Sequence, residues 1–278
     1  MFFKELISFI SNNNGRNTIF IDSENVTEIS IDALMYLLAL LNNANLVKSK
    51  NVSIAGNIPR DKNAKRIFIE SGFFKYVHYT GKRITSRNND NIQIVNGNNS
   101  DPFTARKVSD FVCERVGISP RKCDFLYIML IELMSNTCKH AYNDSNNLFE
   151  PNWYCFIEYS KSIITFTFMD TGEGIPATVR KNFTEKVDFL GIKGDDKYVV
   201  SALNGEFRSS TRQFNRGKGL PKIKDFCDDE KIQNMRIITN KADVTVLKNR
   251  IQSYTIKTPL QGTLYYWQID INKLKGAI

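Results

Sequence analysis

The sequence predicts two domains in tandem: a small α/β domain, then a two-layer α/β sandwich with helices laid on an antiparallel sheet. Three observations carry that expectation. Strand and helix patterns alternate over residues 1–80. A polar linker follows at 81–101, marked by Asn88-Asn-Asp-Asn91 and Asn96-Gly-Asn-Asn-Ser100. Over 102–278, two long helical patterns precede a run of strand patterns. At 278 residues, the chain is long enough for two cores.

In the first domain, Thr18–Asp22 reads as a short strand. Ser30 then fits a helix N-cap, followed by Leu34, Leu37, Leu38 and Leu41 at the spacing of one helical face. Val52–Ala55 is a second strand closed by Gly56. Lys62–Ser71 is a second helix with Gly72 placed to end it, and Phe73–Tyr79 a third strand. Within the linker, Ile92–Val95 is strand-like and fits either side.

The second domain opens with a helix over Phe103–Val116, stopped by Gly117. Ser119-Pro120 supplies an N-cap and a first-turn proline for a helix running to about Tyr142. Two apolar strands, Trp153–Tyr159 and Ile163–Met169, flank a tight turn at Lys161-Ser162. Lys222–Phe226 reads as a short helix begun near Pro221. Further strands are expected at Arg236–Thr239, Val244–Leu247, Ser253–Lys257 and Leu264–Ile271.

Composition narrows the function classes without choosing one. A formal charge of +9 favours an anionic partner, whether nucleotide, nucleic acid or acidic protein. No interleaved aromatic and basic motif accompanies it, so nucleic acid is disfavoured. The longest apolar run, Leu34–Leu41, is too short to cross a bilayer, and Met1–Leu6 does not read as a signal peptide. The five cysteines form no CxxC pair and are expected as reduced thiols in a cytoplasmic protein.

The chemistry lies in three short segments and one late pair. On the second helix of the second domain, Glu132, Asn136 and Lys139 recur at spacings of four and three and share a face. A carboxamide there can offer its oxygen to Mg²⁺ while the ion keeps waters and phosphate oxygens. Glu132 can act as a base, and Lys139 can offset phosphate charge. Next comes Asp170-Thr-Gly172-Glu-Gly174-Ile-Pro176 at a strand end, a carboxylate able to accept from an adenine amino group beside two flexible turns. Arg216-Gly217-Lys218-Gly219-Leu220 precedes a helix and provides charge and exposed amides for phosphate. Gly262-Thr263 lies on a late strand. A Walker A loop and the dinucleotide pattern GxGxxG are both missing. Each segment taken alone also suits a solvated helix face or a plain turn.

In combination and order, ExxxNxxKHA, DTGxGIP, GxGL and a late GT resemble the GHKL superfamily of ATP-binding domains over Phe103–Ile271. The resemblance implies a Bergerat-type fold binding ATP and Mg²⁺, with Asn136 on the metal and Asp170 reading adenine. Gly172 and Gly174 would line the base, Gly217 and Gly219 would face the phosphates, and Thr263 would support the adenine contact. Ala177–Arg216 would occupy the place of the family's mobile lid, with Arg208, Arg212, Arg216 and Lys218 able to close over the triphosphate. The first domain resembles the STAS fold of anti-sigma-factor antagonists through Phe20-Ile-Asp-Ser23 and Val26–Leu34. It departs from them at Ser30-Ile-Asp32, which suits a helix cap better than a phosphoacceptor.

Histidine autokinase activity does not fit, because His140 lies inside the nucleotide motif and His78 in a strand. The expectation is an ATP-binding regulator in which Mg-ATP and a lid gate contacts with a partner protein, a second copy or the other domain, with slow hydrolysis. The alternative is a serine/threonine kinase acting on a STAS-like partner, with Glu132 as its base.

Overall fold

The structure, a computed structural model, describes residues 18–41, 53–81, 92–140, 152–184, 187, 191–207 and 219–276, without the side chains of Lys139 and His140. It is a mixed α/β protein of two compact units. One comprises Met1–Asn96, Asp144–Glu150 and Tyr154–Glu158; the other comprises Gly97–Asn143, Pro151–Trp153 and Tyr159–Ile278.

In the first unit, β1 (Thr18–Ile21), β2 (Ser53–Gly56) and β3 (His78–Tyr79) form a parallel sheet in that order. Helix α1 (Ile31–Leu41) buries Leu34, Met35, Leu38 and the whole of Ala39–Leu41. Helix α2 (Lys62–Glu70) starts where the Asp61 carboxylate accepts from the amides of Asn63 and Ala64, at 2.8 and 2.9 Å. It buries only Ala64 and Phe68 and turns its lysines and Arg66 outward.

The third strand is shorter than its sequence pattern. Phe73–Lys75 forms a 3₁₀ turn, and pairing is confined to His78 and Tyr79. The cause is aromatic packing. Gly72 takes a left-handed conformation (φ +76°), and Phe73 and Phe74 then fold under Phe68 at ring-centroid distances of 5.1 and 5.9 Å. The strand-like piece in the polar stretch is real: β4 (Ile92–Gly97) hangs on this turn, its Ile94 amide donating to Ser71 O and its Ile94 carbonyl accepting from the Tyr76 hydroxyl.

A five-stranded sheet runs in the order β4-β5-β6-β8-β7, with β5 (Trp153–Tyr159), β6 (Ile163–Asp170), β7 (Gln233–Leu247) and β8 (Arg250–Asp270). Strand β8 lies antiparallel to both β6 and β7. The four short strands expected after residue 236 are thus two long ones. The breaks expected near Asn240 and Gly262 are bends within continuous strands, Asn240 at φ +48° and Gly262 at φ +84°.

Helix α3 (Pro102–Val116) is capped by the Asp101 carboxylate and ended by Gly117 in the left-handed region. Pro120–Cys123 is a 3₁₀ turn rather than the first α-helical turn, and α4 follows at Asp124–His140. Phe166 stacks on Trp267 at 4.8 Å in the sheet, while Leu126, Met129, Leu130 and Leu133 of α4 are buried.

One expectation fails here. Cys113 of α3 and Cys123 of the 3₁₀ turn form a disulfide, their Cα atoms 6.4 Å apart, so these two are not reduced thiols. The reversal at Gly117 brings together residues that no CxxC spacing links. Among the described residues, Cys138, Cys155 and Cys227 take part in no disulfide. Among the described residues, no helix is long and apolar enough to cross a membrane.

Among the described residues, the second unit also holds the helices α5 (Ile175–Asn182), α6 (Asp195–Leu203), α7 (Gly219–Asp228) and, after β8, α8 (Ile271–Gly276). Described residues of the stretch equated with a lid pack together. Val179, Val187, Tyr198, Ala202 and Phe207 form a small core of their own, with Ile175, Phe183, Ile192 and Leu220 packed against it. Arg208, Arg212, Arg216, Gly217 and Lys218 lie outside the described residues.

Candidate functional site

Strand β6 is apolar along its length and ends in a carboxylate. Asp170 closes the ladder opposite Thr263 of β8 and is 6% exposed. Its Oδ1 accepts from the Gly172 amide at 2.9 Å, and Thr263 donates from both its hydroxyl and its amide. Burial pushes the acid up to about 6, and those hydrogen bonds offset only part of the rise. Tyr265 is also buried beside it. Burial and the Asp170 charge both hold its phenol in the protonated form.

Two glycines make the close approaches. A Cβ at residue 262 would overlap the Asp170 carbonyl oxygen, and φ at that position is +84°. Gly174 sits at φ +89°, where a Cβ would come 2.6 Å from Asn240 Oδ1 and 2.7 Å from Thr239 Oγ1.

Thr239 and Asn240, which sequence reasoning missed as site residues, brace this turn from β7. Thr239 Oγ1 donates to Gly262 O at 2.9 Å, lies 3.2 Å from Thr263 Oγ1, and accepts from the Ile175 amide at 3.1 Å. The Asn240 carboxamide donates to Glu173 O at 3.0 Å and accepts from the Ala177 amide at 3.4 Å. Gln261 adds a bond of 2.8 Å from its Nε2 to Gly172 O. The one available signal was Asn240, whose residue type tolerates the left-handed conformation at a strand bend.

A second grouping lies on α4 and α7. Phe125 of α4 meets Phe226 of α7 edge to face at 5.8 Å, which seats the start of α7 against α4. Gly219, the first residue of α7, is buried, and a Cβ there would stand 2.8 Å from Glu132 Oε2. Glu132 and Asn136 are both half-buried, and among the described residues neither side chain makes a hydrogen bond or ion pair. A carboxylate and a carboxamide one turn apart, held by a rigid helix with their polar atoms unspent, are suited to a polar ligand. Lys139 lies one turn further along α4.

The residues picked from sequence therefore fall into two groups in one unit: Asp170, Gly172, Gly174 and Thr263 in the first, Glu132 and Gly219 in the second, with Asn136 beside Glu132 and Leu220 in the small core of α5 and α6. Arg216, Gly217 and Lys218 lie outside the described residues. Among those described, no cluster of three His, Cys, Asp or Glu side chains is arranged around a metal position. No protein-family model matches the sequence, and no curated protein matches it.

Proposed function

We propose that the second unit is a Bergerat-type ATP-binding domain and that the chain is a nucleotide-responsive regulator. The observation that carries this reading is Asp170, a nearly buried carboxylate at a strand end, wedged between two glycine turns and still able to accept. An adenine amino group donating to that carboxylate would satisfy it, while guanine presents a carbonyl at the same place and would leave two acceptors facing each other. Asn136 would give Mg²⁺ its single protein ligand, with Lys139 beside the phosphates and the amides at Gly219 facing them. Glu132 beside Gly219 is the base for any attack on the terminal phosphate. The parallel β1-β2-β3 unit, read as STAS-like, would be the contact surface that nucleotide controls, in a partner complex or a second copy.

The deciding experiment compares ATP with GTP on wild type and Asp170→Asn, by calorimetric titration with Mg²⁺. Selective ATP binding that Asp170→Asn weakens by roughly ten- to hundred-fold supports the reading, the usual worth of a bond to a buried charge. Equal affinity for the two nucleotides, or none for either, removes it. Glu132→Ala should leave binding intact. Following γ-labelled phosphate in that pair then separates a gate from a kinase: label on a protein serine that the variant loses would mean transfer.

A further inference from the structure

Helix α5 does not cap itself. The residue before it is Gly174, which has no side chain to offer, and Pro176 has no amide. Thr178 already donates to Gly174 O at 3.1 Å, which leaves the amides of Ile175 and Ala177 without acceptors in their own turn. Strand β7 takes both. Thr239 Oγ1 accepts from Ile175 at 3.1 Å, and Asn240 Oδ1 accepts from Ala177 at 3.4 Å. A Cβ at residue 174 would stand 2.7 and 2.6 Å from these same two oxygens, so the glycine and the borrowed cap go together.

The acceptor for Ile175 is also one step from Asp170. Asp170, Thr263 and Thr239 stand in one row across β6, β8 and β7, each opposite the next in the ladder. The single hydroxyl proton of Thr263 serves either the Asp170 carboxylate or Thr239 Oγ1, which lies 3.2 Å away. Thr239 has one proton as well, given to Gly262 O at 2.9 Å. The row therefore has more than one arrangement of its protons, and an outside donor to Asp170 changes which is favoured.

Along its length α5 reaches the other group of site residues. Ile175 and Val179 share the small core with Tyr198 and Phe207, and Leu220 packs against the same core. Leu220 follows Gly219, which is buried against Glu132 of α4. One helix is thus held at its start by the row that contains Asp170, and packs through its side chains against the start of α7.

We propose that Thr239 is a positioning residue that couples the two groups. On the nucleotide reading above, on which this rests, a base held at Asp170 resets the Thr263 and Thr239 hydroxyls and seats the start of α5. The small core then fixes the start of α7, where the phosphates would lie. The test is hydrogen exchange on the full chain, without nucleotide and with Mg-ATP at a concentration saturating for each protein. Wild type is compared with Thr239→Val, Thr239→Ser and Leu220→Ala. Calorimetric titration sets the concentration, and a wild type that takes up no ATP overturns the nucleotide reading and this inference with it. In wild type, nucleotide should slow exchange at least tenfold in both Ile175–Asn182 and Leu220–Phe226. Thr239→Val keeps the shape and removes the hydroxyl; it should protect Met169–Gly172 but neither helix, and Thr239→Ser should restore both. Leu220→Ala should keep the protection of α5 and lose that of α7, which tests the path even where Thr239→Val does not fold. Full protection of both helices in saturated Thr239→Val, no recovery in Thr239→Ser, or unchanged protection of α7 in Leu220→Ala would each overturn the coupling while ATP binding stands.

Discussion

Asp170 shows how a single buried acid can weaken the fold at neutral pH. A carboxyl group that ionises near pH 6 when folded, against 3.8 in the open chain, binds more protons in the native state between those values. Its contribution favours folding fully below about pH 3.8 and is lost as the pH rises through 6. At neutral pH, the ionised, buried form costs on the order of 3 kcal/mol. Asp170→Asn removes the charge but keeps an oxygen for the Gly172 and Thr263 donors. The variant should therefore melt at a higher temperature than wild type at pH 8, and the gap should close towards pH 4. Thermal unfolding by circular dichroism across that range checks it; parallel curves for the two proteins would mean that Asp170 is not the strained group. On the proposed reading the same substitution weakens ATP binding, so stability and binding should move in opposite directions.

At the scale of elements, a polar cluster around Asp196 joins the outer β7–β8 hairpin to α6. Burial alone would raise the Asp196 acid, yet Ser253, Lys197 and Thr255 bring it below the ordinary value. That stabilisation is present above pH 3.8 and is lost as the pH falls through the lower, folded value. Asp196→Ala leaves two hydroxyls without their acceptor. The expected loss is about 1–3 kcal/mol in chemical denaturation, with faster amide exchange in Asp195–Leu203 and Ser253–Thr255 ahead of the rest of the sheet. Uniform faster exchange everywhere would count against a local joint. This joint was not legible in the sequence, because Asp196 and its partners stand 57 and 59 residues apart. What was legible followed local rules: the Asp61 and Asp101 caps aside, the helices over α1–α4 came from spacing and from Gly72 and Gly117, and β6 from its apolar run into Asp170. What misled was also local. Asn240 and the residues just before Leu264 fell in gaps between expected strands, whereas the β7–β8 ladder resumes on the far side of each bend and carries both strands through. Phe73 and Phe74 read as strand because aromatics favour strands, but their rings pack better under Phe68. Thr239 carried no signal at all; its role comes only from the pairing that sets it beside Thr263.

For the whole molecule, the disulfide changes how the second unit is held together. Cys113 and Cys123 are separated by 10 residues and are both buried, at 2% and 0% exposure. The link ties α3 to the turn that leads into α4, the helix bearing Glu132 and Asn136. Closing a loop of this length in the unfolded chain stabilises the folded one by about 3 kcal/mol in the chain-entropy account. Adding a reductant to the unfolding experiment should then lower the unfolding free energy of wild type by that amount, seen as a lower denaturant midpoint, and leave Cys113→Ala/Cys123→Ala unmoved. If the two thiols are instead unpaired in solution, reductant will shift neither protein. Nucleotide gives the second arm. A ligand that binds only the native state adds about 2.7 kcal/mol at a hundredfold excess over its dissociation constant. If the link only restrains the unfolded chain, that increment should be the same with and without reductant. A smaller increment in the reduced protein would mean that the disulfide also sets the position of α4, and with it the geometry of the proposed nucleotide site.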